Sequence, residues 1–330
     1  MPQRDVLIVG AGPAGLATAI AARQLGLDPL VIEQGTIADA VLRFPTNMVF
    51  FTTPELLEIG NVPLTTPFEK PTRVEALRYY RGVVDMFQLP VVLYERVTRV
   101  EAVDDGSFEV ETADRRAQVR VRTAQAVVLA MGYYERPNLL GVPGEDLPHV
   151  SHFYGEAYPH YRQRVVIVGG KNSACEAALE LYRAGAQVTL VHRGEALGDS
   201  VKYWVRPDME NRIKEGAVAA RFSTEVVEIR PTEVIVRARG SAETESIPAE
   251  AVLLLTGYQA DADFLRGAGV EIDPETNIPR HDPETYETNV PNLFIAGGQL
   301  AGRRTGTIFI ENGRFHGEQI ARVLGTRFRA

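Results

Sequence analysis

The stretch Asp5-Val-Leu-Ile-Val-Gly10-Ala-Gly12-Pro13-Ala14-Gly15 constrains this chain more than any other. The apolar run Val6 to Val9 predicts a buried strand, Gly10-x-Gly12-x-x-Gly15 a turn, and the Ala/Leu-rich residues beyond it a helix. In that order each glycine has its own task. Gly10 permits the tight turn, Gly12 lets a pyrophosphate approach the backbone, and Gly15 lets the helix lie close to the strand. The free N–H groups and positive dipole end at the helix start suit phosphates. A second strand, Pro29 to Ile32, ends in Glu33, placed where a carboxylate can bond ribose hydroxyls.

The arrangement recurs. Arg164-Val-Val-Ile-Val-Gly169-Gly170-Lys171-Asn172-Ser173-Ala174 is again strand, turn and helix, with Ala174 in the third glycine's place. Its second strand, Gln187 to Val191, ends in His192-Arg193 rather than an acid. Two fingerprints predict two dinucleotide sites, and the different endings predict different ligands. An acid favours the free ribose of FAD or NAD; an arginine without an acid favours the 2′-phosphate of NADPH. Lys171 is read as a pyrophosphate contact. His192 is either an adenine-stacking ring or an ordinary strand-end histidine.

Two apolar strands bracket the second motif and end alike, in Met131-Gly132-Tyr133 and Thr256-Gly257-Tyr258. They mark the chain leaving one domain and returning to it. The expectation is a discontinuous domain, 1–135 and 257–330, around an inserted domain, 136–256, with one dinucleotide site in each. Each is expected to be a Rossmann-like α/β unit of three ββα layers. Alternating apolar residues over 93–122 and 225–250 predict an antiparallel cover for each parallel sheet. Tyr133 and Tyr258 are candidates to close over cofactor surfaces. The last strand ends in Gly297-Gly298-Gln299, a loop with Arg303 and Arg304 follows, and the final helix carries His316, either a proton donor near a flavin or a cap for Glu311. Trp204, the single tryptophan, is read as core packing, with a place in the lining of a substrate or cofactor cleft as the alternative.

A chain of 330 residues favours two domains. Its net charge of −8 argues against a nucleic-acid partner. No apolar run suits a bilayer and no secretory leader is evident, so the expected compartment is the cytoplasm. The single cysteine, Cys175, rules out an internal disulfide, a Cys-x-x-Cys pair and a four-cysteine metal site. No metal is expected, Cys175 is read as a small packing residue, and any electron carrier must come from outside the chain. The stretch Phe153-Tyr-Gly155 to His160 nearly fits the Phe-x-Gly-x-x-x-His signature of flavin monooxygenases, but the histidine falls one residue late.

With these features the chain resembles the low-molecular-weight thioredoxin reductase fold group, and within it the YpdA family of bacillithiol disulfide reductases. The linking stretches narrow the likeness: Phe44-Pro45-Thr46, Phe50-Phe51-Thr52-Thr53, Lys70-Pro71-Thr72-Arg73, Lys202-Tyr-Trp204 with Pro207-Asp208, and Phe309 through Gly317. The resemblance implies FAD in the first site, NADPH in the second, hydride transfer between them, and a homodimer or homotetramer. The expected FAD set is Gly10, Gly12, Pro13, Ala14, Gly15, Glu33, Gln34, Phe44, Val97, Met131, Gly132, Gly298, Gln299, Thr307 and Ile308. The expected NADPH set is Gly169, Gly170, Lys171, Asn172, Ser173, Ala174, His192, Arg193, Thr256 and Gly257.

Three departures stand out. His152-Phe-Tyr154-Gly155 falls where thioredoxin reductases carry their cysteine pair. Ala14 stands where some members of the bacillithiol family have a cysteine, and Gly298 where many relatives have an aspartate. Three readings follow: a reductase of a small disulfide working through flavin without a protein thiol, a ferredoxin- or flavodoxin-NADP reductase, or a non-catalytic FAD/NADPH sensor. The partner is accordingly a small disulfide or a small electron-carrier protein.

Overall fold

The computed structural model describes residues 3–303 and 305–329, so Arg304 lies outside the described residues. The chain divides into two compact units. Unit 1 takes the residues up to Leu42, Asn47–Arg136 and those from Tyr258 onward; unit 2 takes Arg43–Thr46 and Pro137–Gly257.

Unit 1 opens with β1 (Arg4–Val9), α1 (Pro13–Gln24), β2 (Pro29–Ile32) and the short α2 (Asp39–Leu42). Then come α3 (Arg73–Met86), β3 (Val91–Val92), β4 (Glu95–Ala102), β5 (Phe108–Asp114) and β6 (Val119–Leu129). After unit 2 it resumes; α6 (Ala262–Gly267), β15 (Leu293–Ile295), α7 (Ile310–Gly313) and α8 (His316–Phe328) complete it, numbered after the unit 2 elements below. Its sheet runs β3-β2-β1-β6-β5-β4, with β15 also on β6. The alternating segment is not a separate cover. β6 pairs antiparallel with β5 over its first half and parallel with β1 over its second, so one strand joins both parts. Its burial explains this: the first half alternates, while Ala126–Leu129 is buried on both faces as a central parallel strand requires.

The register matters for function. Val9 lies level with Ile32 on one side and Leu129 on the other, and Ile295 lies level with Leu129. Glu33, Gly10, Ala130 and Ala296 therefore emerge in one row at the carboxyl ends of the parallel strands. The chain winds one way from β1 to β2 and the other way to β6, which makes this row a topological switch point, where open α/β sheets bind ligands. Against the sheet, α1 is buried from Gly15 to Ala22. Its small residues admit α8: a Cβ on Gly317 would sit 2.4 Å from the Thr18 nitrogen.

Unit 2 holds β7 (Val150–Ser151), β8 (Arg164–Val168), α4 (Asn172–Arg183), β9 (Gln187–Val191), α5 (Arg206–Lys214) and β10 (Ala219–Arg221). It continues with β11 (Thr224–Arg230), β12 (Glu233–Ala238), β13 (Thr244–Pro248) and β14 (Ala251–Leu254). The parallel sheet runs β10-β9-β8-β14-β7; β11-β12-β13 forms an antiparallel sheet. Successive residues of β8 point to opposite faces. Val165 and Ile167 pack with Ala174, Ala178 and Leu181 of α4, while Val166 and Val168 pack with Ile229, Val234 and Val236 of the antiparallel sheet. The result is helix, parallel sheet and antiparallel sheet in three layers.

Candidate active site

At the first glycine turn, Gly10 has φ +106°, which a side chain would strain, and a Cβ on Gly15 would lie 2.0 Å from the Gly10 carbonyl oxygen. Nothing lies within 4 Å of a Cβ placed on Gly12. That combination is a tight strand–helix junction with an open face. Gly12 is the N-cap of α1 and no side chain caps the helix. The N–H groups of Gly12, Ala14 and Gly15 make no hydrogen bond to described residues, which leaves donors aimed outward at a dipole's positive end.

Glu33, 6% exposed, braces this turn: its carboxylate accepts from the N–H groups of Ala11 and Gly35, both at 2.7 Å. Burial raises its pKa and the two N–H bonds oppose that, with Asp39 and Glu135 nearby adding to the rise. Gln34 donates to Glu135. Three carboxylates thus surround the end of β2, a setting that repels a phosphate and suits a plain ribose. Asp39 and Glu135 were not expected from the sequence. Only the Asp39 contact to the N–H of Thr36, at 3.2 Å, carries a local turn signal.

At the far end of the row, Gly297 has φ +72° and faces Ala14, whose Cβ would be 2.9 Å from a side chain there. The Gly297 N–H donates to His316 Nδ1 at 3.1 Å. His316 stacks on Tyr286 with ring centroids 4.3 Å apart, another residue that no sequence motif marked. Burial pushes the imidazole down to about 4, and His281 adds to the shift. His316 is thus a neutral ring whose Nδ1 is tied to the backbone that faces Ala14, which leaves its proton on Nε2. Tyr133 lies against Gly298, its ring 2.5 Å from a would-be Cβ, and its hydroxyl donates to the Thr305 carbonyl at 3.0 Å. The ring fills the space an aspartate would need. Thr307 accepts from the Asn312 amide through its carbonyl, and Ile308 packs on the unit 1 core beside Met131.

In unit 2, Asn172, Ser173 and Ala174 open α4 with N–H groups that make no hydrogen bond to described residues. The His192 ring lies over Gly170, 2.5 Å from a would-be Cβ, and its pKa is lowered by burial and then by Arg193 and Lys171. Lys171 and Arg193 are exposed and make no ion pair or hydrogen bond to described residues. Two uncommitted cations beside a helix N-terminus suit an anion. The loop that follows is held over α4: the Asn172 side chain donates to the Ser200 carbonyl and accepts from the Lys202 N–H, both at 2.9 Å. Thr256 and Gly257 are bound to Asn138, through the Thr256 hydroxyl at 2.6 Å and the Gly257 carbonyl at 2.9 Å.

Two further expectations are corrected, and Val97 is located more closely. Phe44 groups with unit 2, where the neighbouring Thr46 N–H donates to the Gly155 carbonyl at 2.8 Å. Val97 turns its side chain into the core of unit 1, leaving only its backbone for a ligand. Trp204 is not core: it is 49% exposed, edge-on to Tyr203. Tyr258 packs against Tyr134 at 4.4 Å. Cys175 is buried against the unit 2 sheet and burial pushes its thiol up to about 11, which keeps it protonated and inert. Among the described residues no cluster could hold a metal, and no helix is long and apolar enough to cross a membrane.

These two built nucleotide cradles agree with the similarities the chain shows. The pyridine nucleotide-disulphide oxidoreductase family model matches residues 7–297. Bacilliredoxin reductase Bdr of Bacillus subtilis is 42% identical over 327 residues, 99% of either chain. The structure of bacillithiol disulfide reductase Bdr (YpdA) from Bacillus cereus superposes with a TM-score of 0.96 at 42% identity, over 99% of this chain and 100% of that one. Thioredoxin reductase of T. acidophilum, 20% identical with a TM-score of 0.77 and full coverage of both chains, shares the fold. The likeness to the YpdA family read from the linking stretches is thus borne out. With a thioredoxin reductase-like fold and one nucleotide cradle in each unit, the chain belongs to the pyridine nucleotide-disulphide oxidoreductase family and is a flavin-dependent oxidoreductase of pyridine nucleotides.

Proposed function

We propose that the chain is an NADPH-dependent reductase of a low-molecular-weight disulfide, with bacillithiol disulfide the leading substrate, and that it works through FAD without a protein thiol. Unit 1 is the FAD domain on this reading and unit 2 the NADPH domain. The enzyme acts in the cytoplasm as a homodimer or homotetramer. In balance, NADPH and one proton reduce a disulfide to two thiols, and NADP+ leaves. The flavin, when bound, supplies the two-electron relay.

The chain's residues divide the remaining work. The N–H groups of Gly12, Ala14 and Gly15 hold the FAD pyrophosphate, and Glu33 takes the adenosine ribose while bracing the turn. Asn172, Ser173 and Ala174 do the same for NADPH, with Lys171 reaching the pyrophosphate and Arg193 matching the extra phosphate. The observation that carries the thiol-free mechanism is the state of Cys175: buried, raised in pKa and the chain's single sulfhydryl. The relatives named for bacillithiol disulfide and bacilliredoxin supply the substrate class.

The test reduces the purified holoenzyme anaerobically with one equivalent of NADPH and then adds bacillithiol disulfide. The flavin's visible band bleaches and returns on this reading. Bleaching with no return, but recovery on adding ferredoxin or flavodoxin, would replace it with the electron-transfer reading. No bleaching would sink both.

A further inference from the structure

The two glycine turns differ at one place. Gly10 and Gly169 both hold positive φ where the strand ends, and Gly12 and Lys171 each cap the following helix in extended backbone. Lys171 therefore stands where the first turn has its second glycine. A Cβ built on Gly12 meets nothing within 4 Å, so that position opens on the face where a dinucleotide passes. The Lys171 side chain leaves its own turn at the corresponding place. A lysine there supplies charge, but its long stem has several rotors, and freezing them on binding costs affinity. One neighbour confines the stem. A Cβ built on Gly198 would lie 3.2 Å from Lys171 Cγ and 3.2 Å from the Gly170 carbonyl oxygen, and the Gly198 N–H donates to that carbonyl at 2.8 Å. Gly198 is held in turn by Arg206, whose guanidinium donates to the Gly198 carbonyl at 2.6 Å and to the Leu197 carbonyl at 3.4 Å. Arg206 is the first residue of α5, where the helix dipole disfavours a cation. The two carbonyls, with Glu210 at 3.1 Å, offset that cost and fix the guanidinium over the loop.

We propose that Arg206 is a positioning residue for NADPH: by holding Gly198 against the Lys171 stem, it keeps the lysine ammonium over the coenzyme pyrophosphate. Arg206 acts through Lys171 and needs no contact of its own with the coenzyme. This rests on the reading that unit 2 binds NADPH.

The experiment measures NADP+ binding to the oxidised holoenzyme by titration calorimetry, since NADP+ cannot reduce the flavin. The proteins are wild type, Arg206→Met, Arg206→Lys, Lys171→Met and the double variant Arg206→Met/Lys171→Met. Removing the Lys171 charge weakens binding roughly tenfold or more. Arg206→Met, which frees the stem, weakens it roughly three- to tenfold. Arg206→Lys keeps a donor for the Gly198 carbonyl and recovers most of that loss. In the Lys171→Met background, Arg206→Met changes affinity by less than about twofold, because the stem it positions no longer carries a charge. A merely structural role predicts a different pattern: a loosened loop weakens binding by the same factor in both backgrounds, and that result overturns the inference. Unchanged affinity in Arg206→Met overturns it too, as does Lys171→Met binding NADP+ as tightly as wild type. Should Arg206→Met fail to fold, Gly198→Ala, whose Cβ forces the Lys171 stem aside, is compared in the same two backgrounds with the same criteria. Failure of the wild-type holoenzyme to bind NADP+ at all refutes the underlying reading, and this inference with it.

Discussion

Replacing His316 by asparagine should remove most of one identifiable acid sensitivity of unit 1. The imidazole is 8% exposed, accepts the Gly297 N–H, and has its pKa pushed from the ordinary 6.5 down to about 4 by burial and then by His281. For a base whose folded pKa is depressed, the unfolded chain takes up a proton first as the pH falls. Stability is therefore lost below the unfolded value and the loss levels off below the folded one. Between about pH 7 and pH 5, a histidine shifted this far removes roughly 2 kcal/mol of folding stability, and by pH 4 about 3 kcal/mol. Asparagine keeps an acceptor for Gly297 and cannot titrate. The assay is urea unfolding of the apoprotein at the two pH values for wild type and His316→Asn. The variant's loss from pH 7 to pH 5 should be smaller by roughly 2 kcal/mol. Equal losses in the two proteins would refute the reasoning and mean that His316 is not held neutral by burial.

The two glycines of the first turn should separate in their effects. Gly15→Ala drives a Cβ to 2.0 Å from the Gly10 carbonyl and should destabilise the apoprotein by about 3 kcal/mol or more, read by denaturation. Gly12→Ala meets nothing within 4 Å and should leave apoprotein stability nearly unchanged while weakening FAD binding; equal destabilisation by both would contradict the open-face reading. Arg193→Ala should lower kcat/KM for NADPH by roughly thirtyfold, the loss of one charge-assisted contact of about 2 kcal/mol, with NADH kinetics little changed. An equal fall for both nucleotides would remove Arg193 from the 2′-phosphate. In the unit 1 sheet, Arg122 and Glu95 form an ion pair with side chains 7% and 4% exposed. Arg122→Met should cost about 3 kcal/mol, softened because Arg120 still faces Glu95 at 3.1 Å, and a change near zero would show the carboxylate is not buried as a charge.

Much of this was legible in the sequence because the chemistry is local. A strand, a glycine turn and a helix occupy about twenty residues, and the ending of the next strand is read directly at Glu33 or at His192-Arg193. What stayed hidden depends on contacts between residues far apart. His316 reaches Gly297, Tyr133 covers Gly298, and Glu135 joins the acid end of β2 through Gln34; no spacing rule links those pairs. Phe44 was misplaced for the same reason, since the bond of Thr46 to Gly155 draws that short segment into unit 2. Trp204 shows the limit of type-based expectation: a large aromatic suits a core, but here Tyr203 and Lys202 flank it on an exposed turn.

The measurement that tests the central claim most directly uses Cys175→Ala, because that substitution makes the protein free of sulfhydryls. The holoenzyme is reduced anaerobically with NADPH and mixed rapidly with bacillithiol disulfide while the flavin colour and the released thiol are followed. The thiol-free account predicts reoxidation at the wild-type rate, with two thiols released per flavin reoxidised. Loss of reoxidation in the variant, with flavin reduction by NADPH intact, would make Cys175 a redox group and contradict the account.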